Sequence, residues 1–207
     1  MRTTKKSRKH ARTGANAFGA AYFRRYYSNP DTRVVSPKEM RSRAALIAAI
    51  LEHGQIPVRS ILDAGCGMGL MLRPFAGLLP RASYAGLESS RYLCKRFGWT
   101  RGSIVDYAPL KPFDLVVCYD VLQYLKDREA GLAIANLARL TRAALYVSAL
   151  TREDWRENCD RSRTDRAVNL RSGAWYRRRL QKSFRYLGVG VWLRKDVSAV
   201  LWDLERP

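Results

Sequence analysis

Ile61-Leu62-Asp63-Ala64-Gly65-Cys66-Gly67-Met68-Gly69 decides the fold of this chain. An apolar run ends in an acid, and three glycines at alternate positions follow. Glycine has no Cβ and tolerates positive φ, so such a turn lets the backbone pass close to a ligand. With a strand leading in and a helix leading out, free N–H groups at the helix start face the bound molecule. Both flanks are present: Val58–Leu62 reads as a short buried strand, and Leu70–Leu79 as a helix with Pro74 in its first turn. The dinucleotide pattern G-x-G-x-x-G is not met, because Leu70 occupies the third glycine position.

The next unit narrows the ligand. Ala82–Glu88 reads as a second strand ending in a carboxylate, and Glu88 lies 19 residues after Gly69. That is close to the ~20-residue spacing at which an acid meets a ribose. A carboxylate accepts from both hydroxyls of a vicinal diol and repels a 2′-phosphate, which argues against NADP.

Working outward, strands and helices alternate. The stretch Ser36-Pro37-Lys38-Glu39 starts a helix that runs to about His53 and stops at Gly54. Helix Ser90–Phe97 follows the second strand. Ser103–Val105 reads as a third strand ending at Asp106, Phe113–Tyr119 as a buried fourth, Asp127–Leu140 as an amphipathic helix and Ala144–Ala149 as a fifth strand. Residues 151–171 look irregular, and Ser172–Ser183 helical. Tyr186–Leu193 and Ser198–Leu204, with Arg194–Val197 between them, read as an antiparallel hairpin. The expected fold class is α/β, Rossmann-like and doubly wound, with a mostly parallel seven-stranded sheet. The expected organisation is a disordered basic tail at 1–15, an N-terminal helical lid at 16–54 and the main domain at 55–207.

Composition sets limits. The chain has 207 residues, 47% of them hydrophobic, enough for one sizeable core. No apolar run approaches the ~18 residues of a membrane span, and no apolar segment backs the basic N-terminus as in a secretory signal. Cys66, Cys94, Cys118 and Cys159 show no C-x-x-C spacing, so reduced thiols, a cytoplasmic location and no metal are expected. The net charge of +20 is uneven: residues 161–185 hold eight arginines and Lys182 against one acid, Asp165. That charge fits a nucleic-acid partner, or solvated arginines whose stems cover apolar surface.

With these elements placed, residues 55–207 resemble the class I S-adenosylmethionine-dependent methyltransferases. The stretch ILDAGCGMG resembles that family's first motif, YAGLE its second, GSIVDYAPL the end of its third strand and FDLVVCYDVLQYL its fourth-strand motif. The resemblance implies S-adenosyl-L-methionine as cofactor. Gly65, Cys66, Gly67 and Gly69 would lie against its methionine part with Asp63 in support. Glu88, with Ser89 beside it, would take the ribose hydroxyls, and Asp106 the adenine amine. Tyr119 and Asp120 would sit near the methionine end. A turn or cap role is the alternative for Asp106 and Asp120.

Methyl transfer needs a nucleophile aligned with the S–CH₃ bond and water kept out. The chain is poor in bases: His10 lies in the tail and His53 ends a helix. No Asn/Asp-Pro-Pro-Tyr and no Pro-Cys pair follows the fourth strand, which argues against the amino-group and 5-methylpyrimidine DNA patterns. Tyr22–Arg43 and Thr151–Trp175 remain to build the acceptor site. Candidates are Tyr26, Tyr27, Arg33, Arg41, Tyr124, Trp155, Asn158, Asp160, Arg161 and Tyr176. A small-molecule acceptor, with an anionic one among the options, is the leading expectation. An RNA or ribosome methyltransferase using the basic tail and residues 161–185, and an S-adenosylmethionine-binding module without turnover, are the alternatives.

Overall fold

The computed structural model describes residues 18–205. The basic tail expected at 1–15 lies outside them. Among the described residues, seven strands form one sheet in the order β3-β2-β1-β4-β5-β7-β6. The strands are β1 Ser60–Ala64, β2 Ser83–Glu88, β3 Thr100–Arg101, β4 Phe113–Tyr119, β5 Thr141–Ser148, β6 Phe184–Gly188 and β7 Val191–Arg194. Strands β1 to β5 pair in parallel, and β7 runs antiparallel to β5 and β6. This is the Rossmann-like mixed sheet expected, with its antiparallel terminal hairpin.

Central strands are covered on both faces, so they read as continuous apolar runs. Alternate side chains serve opposite layers. Leu62, Val116, Cys118 and Leu145 pack against Ile134 and Leu137 of helix α5 (Asp127–Leu140) and Leu180 of α7 (Gly173–Leu180). On the other face Ile61, Leu115, Val117 and Tyr146 meet Ile47 and Leu51 of α2 (Pro37–His53) and Phe75 of α3 (Leu72–Leu78). Helix α2 opens as the sequence indicates. The Ser36 side chain accepts from the N–H of Glu39, and the Glu39 carboxylate accepts from the N–H of Ser36. Preceding it, α1 (Ala20–Phe23) and a π-helical turn Arg24–Ser28 pack Tyr22, Phe23 and Tyr26 over Leu93 of α4 (Arg91–Phe97).

Several boundaries move for physical reasons. Strand β1 begins at Ser60 rather than Val58, where the Asp114 carboxylate accepts from the N–H groups of Arg59 and Ser60. Strand β5 starts at Thr141, directly after α5. The third strand is Thr100–Arg101, not Ser103–Val105. Gly102 donates the last ladder bond to Glu88, and the N–H groups of Asp106 and Tyr107 turn back to the carbonyl of Ser103. The hairpin also shifts. Its turn is Val189–Gly190, with φ 40° and 86°, inside the apolar stretch Tyr186–Leu193. Two consecutive positive φ values give a two-residue turn whose twist suits the flanking strands. Ser198–Leu204 forms no strand; Val200 donates to Gly54 and a short 3₁₀ turn follows. Residues 151–171 contain a helix, α6 (Arg152–Glu157), capped by Thr151.

At the lower end of the sheet Asp114 ties β4 to β1 and to Arg142 of β5. Its carboxylate accepts from Ser60 Oγ at 3.0 Å and from Arg142 Nε at 2.6 Å. Burial alone would raise its pKa, but the N–H of Arg59 and the Arg142 guanidinium hold it below the usual carboxylate value. Asp114→Ala removes the acceptor shared by Arg59, Ser60 and the half-exposed Arg142, whose donors water can then reach, and is expected to cost about 1–2 kcal/mol in urea unfolding at pH 7. Because the folded pKa is depressed, this contribution disappears as pH falls through the folded value. The deficit of the variant should therefore shrink toward strongly acidic pH.

Candidate functional site

The glycine turn lies at the upper, C-terminal ends of β1 and β4. Gly65, Gly67 and Gly69 have φ of 88°, 53° and 69°, the left-handed region that side chains resist. A Cβ on Gly65 would fall 2.3 Å from Val121 Cγ2, and one on Gly69 2.6 Å from the Trp99 ring. No atom lies within 4 Å of the Cβ position on Gly67. The turn is thus clamped at both ends, with open space in front of its middle glycine. Trp99 Nε1 donates to the Gly67 carbonyl at 3.0 Å. Glu88 completes the clamp: Oε2 accepts from the N–H of Gly67 at 2.9 Å, while Oε1 accepts from the N–H of Ser90 at 2.8 Å and Ser89 Oγ at 3.3 Å. The acid at the end of β2 therefore holds the turn at the end of β1.

A cleft of about 440 Å³ opens here, bounded by Gly65, Gly67, Glu88, Ser89, Ile104 and Asp120. Phe18, Tyr22, Phe23 and Tyr27 from the N-terminal segment close it from the other side. That segment is fastened by Ser90 Oγ, which donates to the Phe18 carbonyl at 2.6 Å, and by a 2.7 Å hydrogen bond between the Tyr22 and Tyr124 hydroxyls. A second chamber of about 1220 Å³ adjoins, lined by Tyr26, Arg33, Arg43, Gln123, Asn158 and Asp165 among others. Tyr22, Tyr27, Tyr119, Asp120 and Tyr124 line both spaces. Asp120 sits at φ 58°, a conformation an aspartate tolerates, where β4 ends. Burial raises its pKa, against a hydrogen bond from Gln123 Nε2 and the charge of Arg43. Arg43 itself lies 4.4 Å over the Tyr119 ring and donates to the Tyr146 hydroxyl at 2.6 Å.

The remaining residues singled out from sequence are placed as follows. Asp63 and Cys66 are buried beneath the turn, and neither lines the cleft. Asp63 accepts a short hydrogen bond from the Tyr84 hydroxyl. Burial pushes its pKa up to about 7, with the Glu88 charge adding and the Tyr84 bond opposing. Asp106 lies in the turn after β3, outside the cleft, where Ser103, Ile104 and Val105 take its place. Tyr176 is a core residue that accepts from Arg171 at 3.2 Å. Trp155 borders neither space and has Arg161 5.9 Å above its ring; Arg41 is exposed on α2. Arg33, Asn158 and Asp160 line the large chamber.

Residues missed from sequence include Ser103, Val121 and Arg101 in the cleft, and Gln123 in the chamber. Ser103 lies within the stretch GSIVDYAPL, and Val121 and Gln123 within FDLVVCYDVLQYL, so their place in a motif was a signal; Arg101 belongs to neither and is brought in by the fold. Asp165 did carry a signal, as the one acid in a run of arginines. Among the described residues, no group of His, Cys, Asp or Glu could hold a metal ion, and no helix is long and apolar enough to cross a membrane.

Asp63 yields a pH prediction. Its folded pKa lies above that of an unfolded carboxylate, so it stabilises the fold at low pH and loses that contribution as pH rises from about 4 to about 7. Tyr84→Phe removes a bond to the ionised form. The stability loss should be about 2 kcal/mol at pH 8 and clearly smaller at pH 5, measured by urea unfolding. Equal losses at both pH values would reject the assignment.

Residues 62–143 match the family model of a methyltransferase domain. Among solved structures, the chain is similar to magnesium protoporphyrin IX methyltransferase from Synechocystis PCC 6803 with bound S-adenosylmethionine. The identity there is 18%, with 87% of this chain and 95% of that one covered, at a TM-score of 0.60. It is also similar to the N-methyltransferase NodS from Bradyrhizobium japonicum WM9 in complex with S-adenosyl-L-homocysteine, at 17% identity, 85% and 98% coverage and a TM-score of 0.60. Streptomyces venezuelae DesVI matches at 20% identity, 76% and 92% coverage and a TM-score of 0.59. No curated protein sequence matches the chain significantly.

Proposed function

We propose that this chain, whose residues 62–143 match the model of a methyltransferase domain, is an S-adenosylmethionine-dependent methyltransferase and methylates a small molecule held in the large chamber. The observation that carries this reading is the shared wall. Tyr22, Tyr27, Tyr119, Asp120 and Tyr124 border both the cleft at the glycine turn and the larger chamber. A donor in the first and an acceptor in the second would meet across these side chains.

The cleft suits the cofactor in its donor set. Glu88 presents a carboxylate to a ribose diol, the open face of Gly67 admits close backbone approach, and Gly102–Val105 form the wall for a flat adenine. S-adenosylmethionine supplies a methyl group already activated on a sulfonium. What remains for the protein is to bind, orient and exclude water, which is the work of aromatic walls and a closed roof. We read residues 18–54 as that roof, or lid, and Arg33 and Lys38 at the chamber as partners for an anionic group on the acceptor.

The nucleic-acid reading is less well supported. Arg171 is 4% exposed and bonded to Asp127 and Leu122, and Arg179 lies 3.6 Å over the Trp175 ring. The 161–185 stretch thus spends part of its charge inside the fold. The test is mass-spectrometric detection of S-adenosylhomocysteine and methylated product with a panel of small carboxylated acceptors, beside a salt titration of RNA binding. Turnover on the panel with no steep salt-dependent RNA affinity is expected. Turnover on RNA alone would overturn the choice of acceptor.

A further inference from the structure

Two residues that line the large chamber, Asp165 and Gln123, each carry a buried acceptor atom without a donor. Asp165 is 6% exposed; its Oδ1 accepts from the N–H of Ala167 at 3.0 Å, while Oδ2 has no hydrogen-bond partner. Gln123 is 3% exposed and donates from Nε2 to Asp120 Oδ1 at 2.9 Å, yet its Oε1 has no hydrogen-bond partner. None of the ion pairs among the described residues includes Asp165, although eight arginines surround it in sequence. Buried polar groups are satisfied with few exceptions, because desolvation without a partner is costly. Two residues of one chamber wall therefore carry acceptors for which the chain supplies no donor.

The walls specify that donor further. Tyr22, Tyr26, Tyr27, Tyr119 and Tyr124 line the same chamber, with the Tyr22 ring 4.9 Å from Tyr26 and 6.3 Å from Tyr27. Rings of this kind beside a carboxylate hold a positively charged nitrogen. Asp165 and Asp120 lie near enough that their charges add to burial in raising the Tyr22 and Tyr124 phenols. Cations also face the chamber. Arg163 is 3.6 Å from Asp160, Arg43 is over Tyr119 with Nε unpaired, and Arg33 and Lys38 come from the segment that opens α2. These suit the anionic part of an acceptor.

We infer that the methyl acceptor is an amine nitrogen of a molecule that also carries an anionic group, bound by Asp165, the Gln123 carbonyl and the tyrosine walls. This rests on the methyltransferase reading and names its substrate class. The incoming ammonium releases one proton to solvent. The nitrogen lone pair then forms the N–C bond as the C–S bond breaks, its electron pair going to sulfur. The products are a methylated ammonium and a neutral thioether. No base is needed in the transfer step itself, which agrees with a chamber that contains no histidine among its described lining.

The test is calorimetric binding to the protein saturated with S-adenosylhomocysteine. The probes are 4-aminobutanoate, whose ammonium can donate to both acceptors, and pentanoate, its isostere with a neutral methyl in place of the ammonium. The ammonium compound should bind at least about tenfold tighter, and Asp165→Asn, which keeps the bond to Ala167, should remove most of that preference. Equal binding of the two probes by the wild-type protein would overturn the inference, as would methylation of 4-hydroxybutanoate but not of 4-aminobutanoate. Absence of S-adenosylhomocysteine binding would instead strike the methyltransferase reading beneath it.

Discussion

Glu88→Ala is expected to weaken S-adenosylmethionine binding by at least about a hundredfold in isothermal calorimetry. Two effects act together. The proposed bonds to the ribose hydroxyls go, and each bond to a charged acceptor is worth about 1.5–3 kcal/mol. The N–H groups of Gly67 and Ser90 also lose their acceptor, which releases the glycine turn from β2. Glu88→Gln separates the two. A carboxamide still offers one oxygen, so it should bind more tightly than the alanine variant and less tightly than the wild type. Unchanged affinity in Glu88→Ala would remove the carboxylate from the site and with it the assignment of the cleft.

Gly65→Ala should be the most damaging single methyl group that can be added to this protein's turn. Its φ of 88° is strained for alanine, and the new Cβ would lie 2.3 Å from Val121 Cγ2. Strain and overpacking together are expected to cost about 3 kcal/mol or more, seen as a fall in Tm, with cofactor affinity lost in parallel. The companion variant Val121→Ala removes the atom that clashes. The double variant should therefore recover part of the stability, leaving the backbone strain. If the double variant is no better than Gly65→Ala alone, the packing of the turn against Val121 is not what fixes its shape.

How much of this was legible beforehand depends on whether a feature is local. The helix start at Ser36–Glu39, the strand Phe113–Tyr119 and the helix Asp127–Leu140 were read at their true bounds, since caps and hydrophobic period act within a few residues. The third strand was misread because two residues of pairing carry no periodic signal, and its end is set by Glu88 across the sheet. The terminal hairpin was misread for the opposite reason. Apolar residues run through the turn at Val189–Gly190, and only its positive φ values reveal it. Among the candidate site residues, Gly65, Gly67, Glu88 and Asp120 come together at one cleft, whereas Asp63 is taken by Tyr84 and Tyr176 by the core.

The glycine turn, the acid that follows it and the alternation of strands and helices are properties of the linear chain, because each depends on neighbours a few residues apart. They determined the fold class and the family it resembles. Which aromatics face the junction of the two cavities, and which carboxylate oxygen stays buried without a donor, depended on the packing of residues 18–43 and 120–168 over the strand ends. Those contacts join positions a hundred residues apart, as in Tyr22 with Tyr124, and no spacing along the chain encodes them. The proposed methyl donor was therefore readable from the sequence, whereas the acceptor chemistry inferred above rests on contacts that exist only in the folded chain.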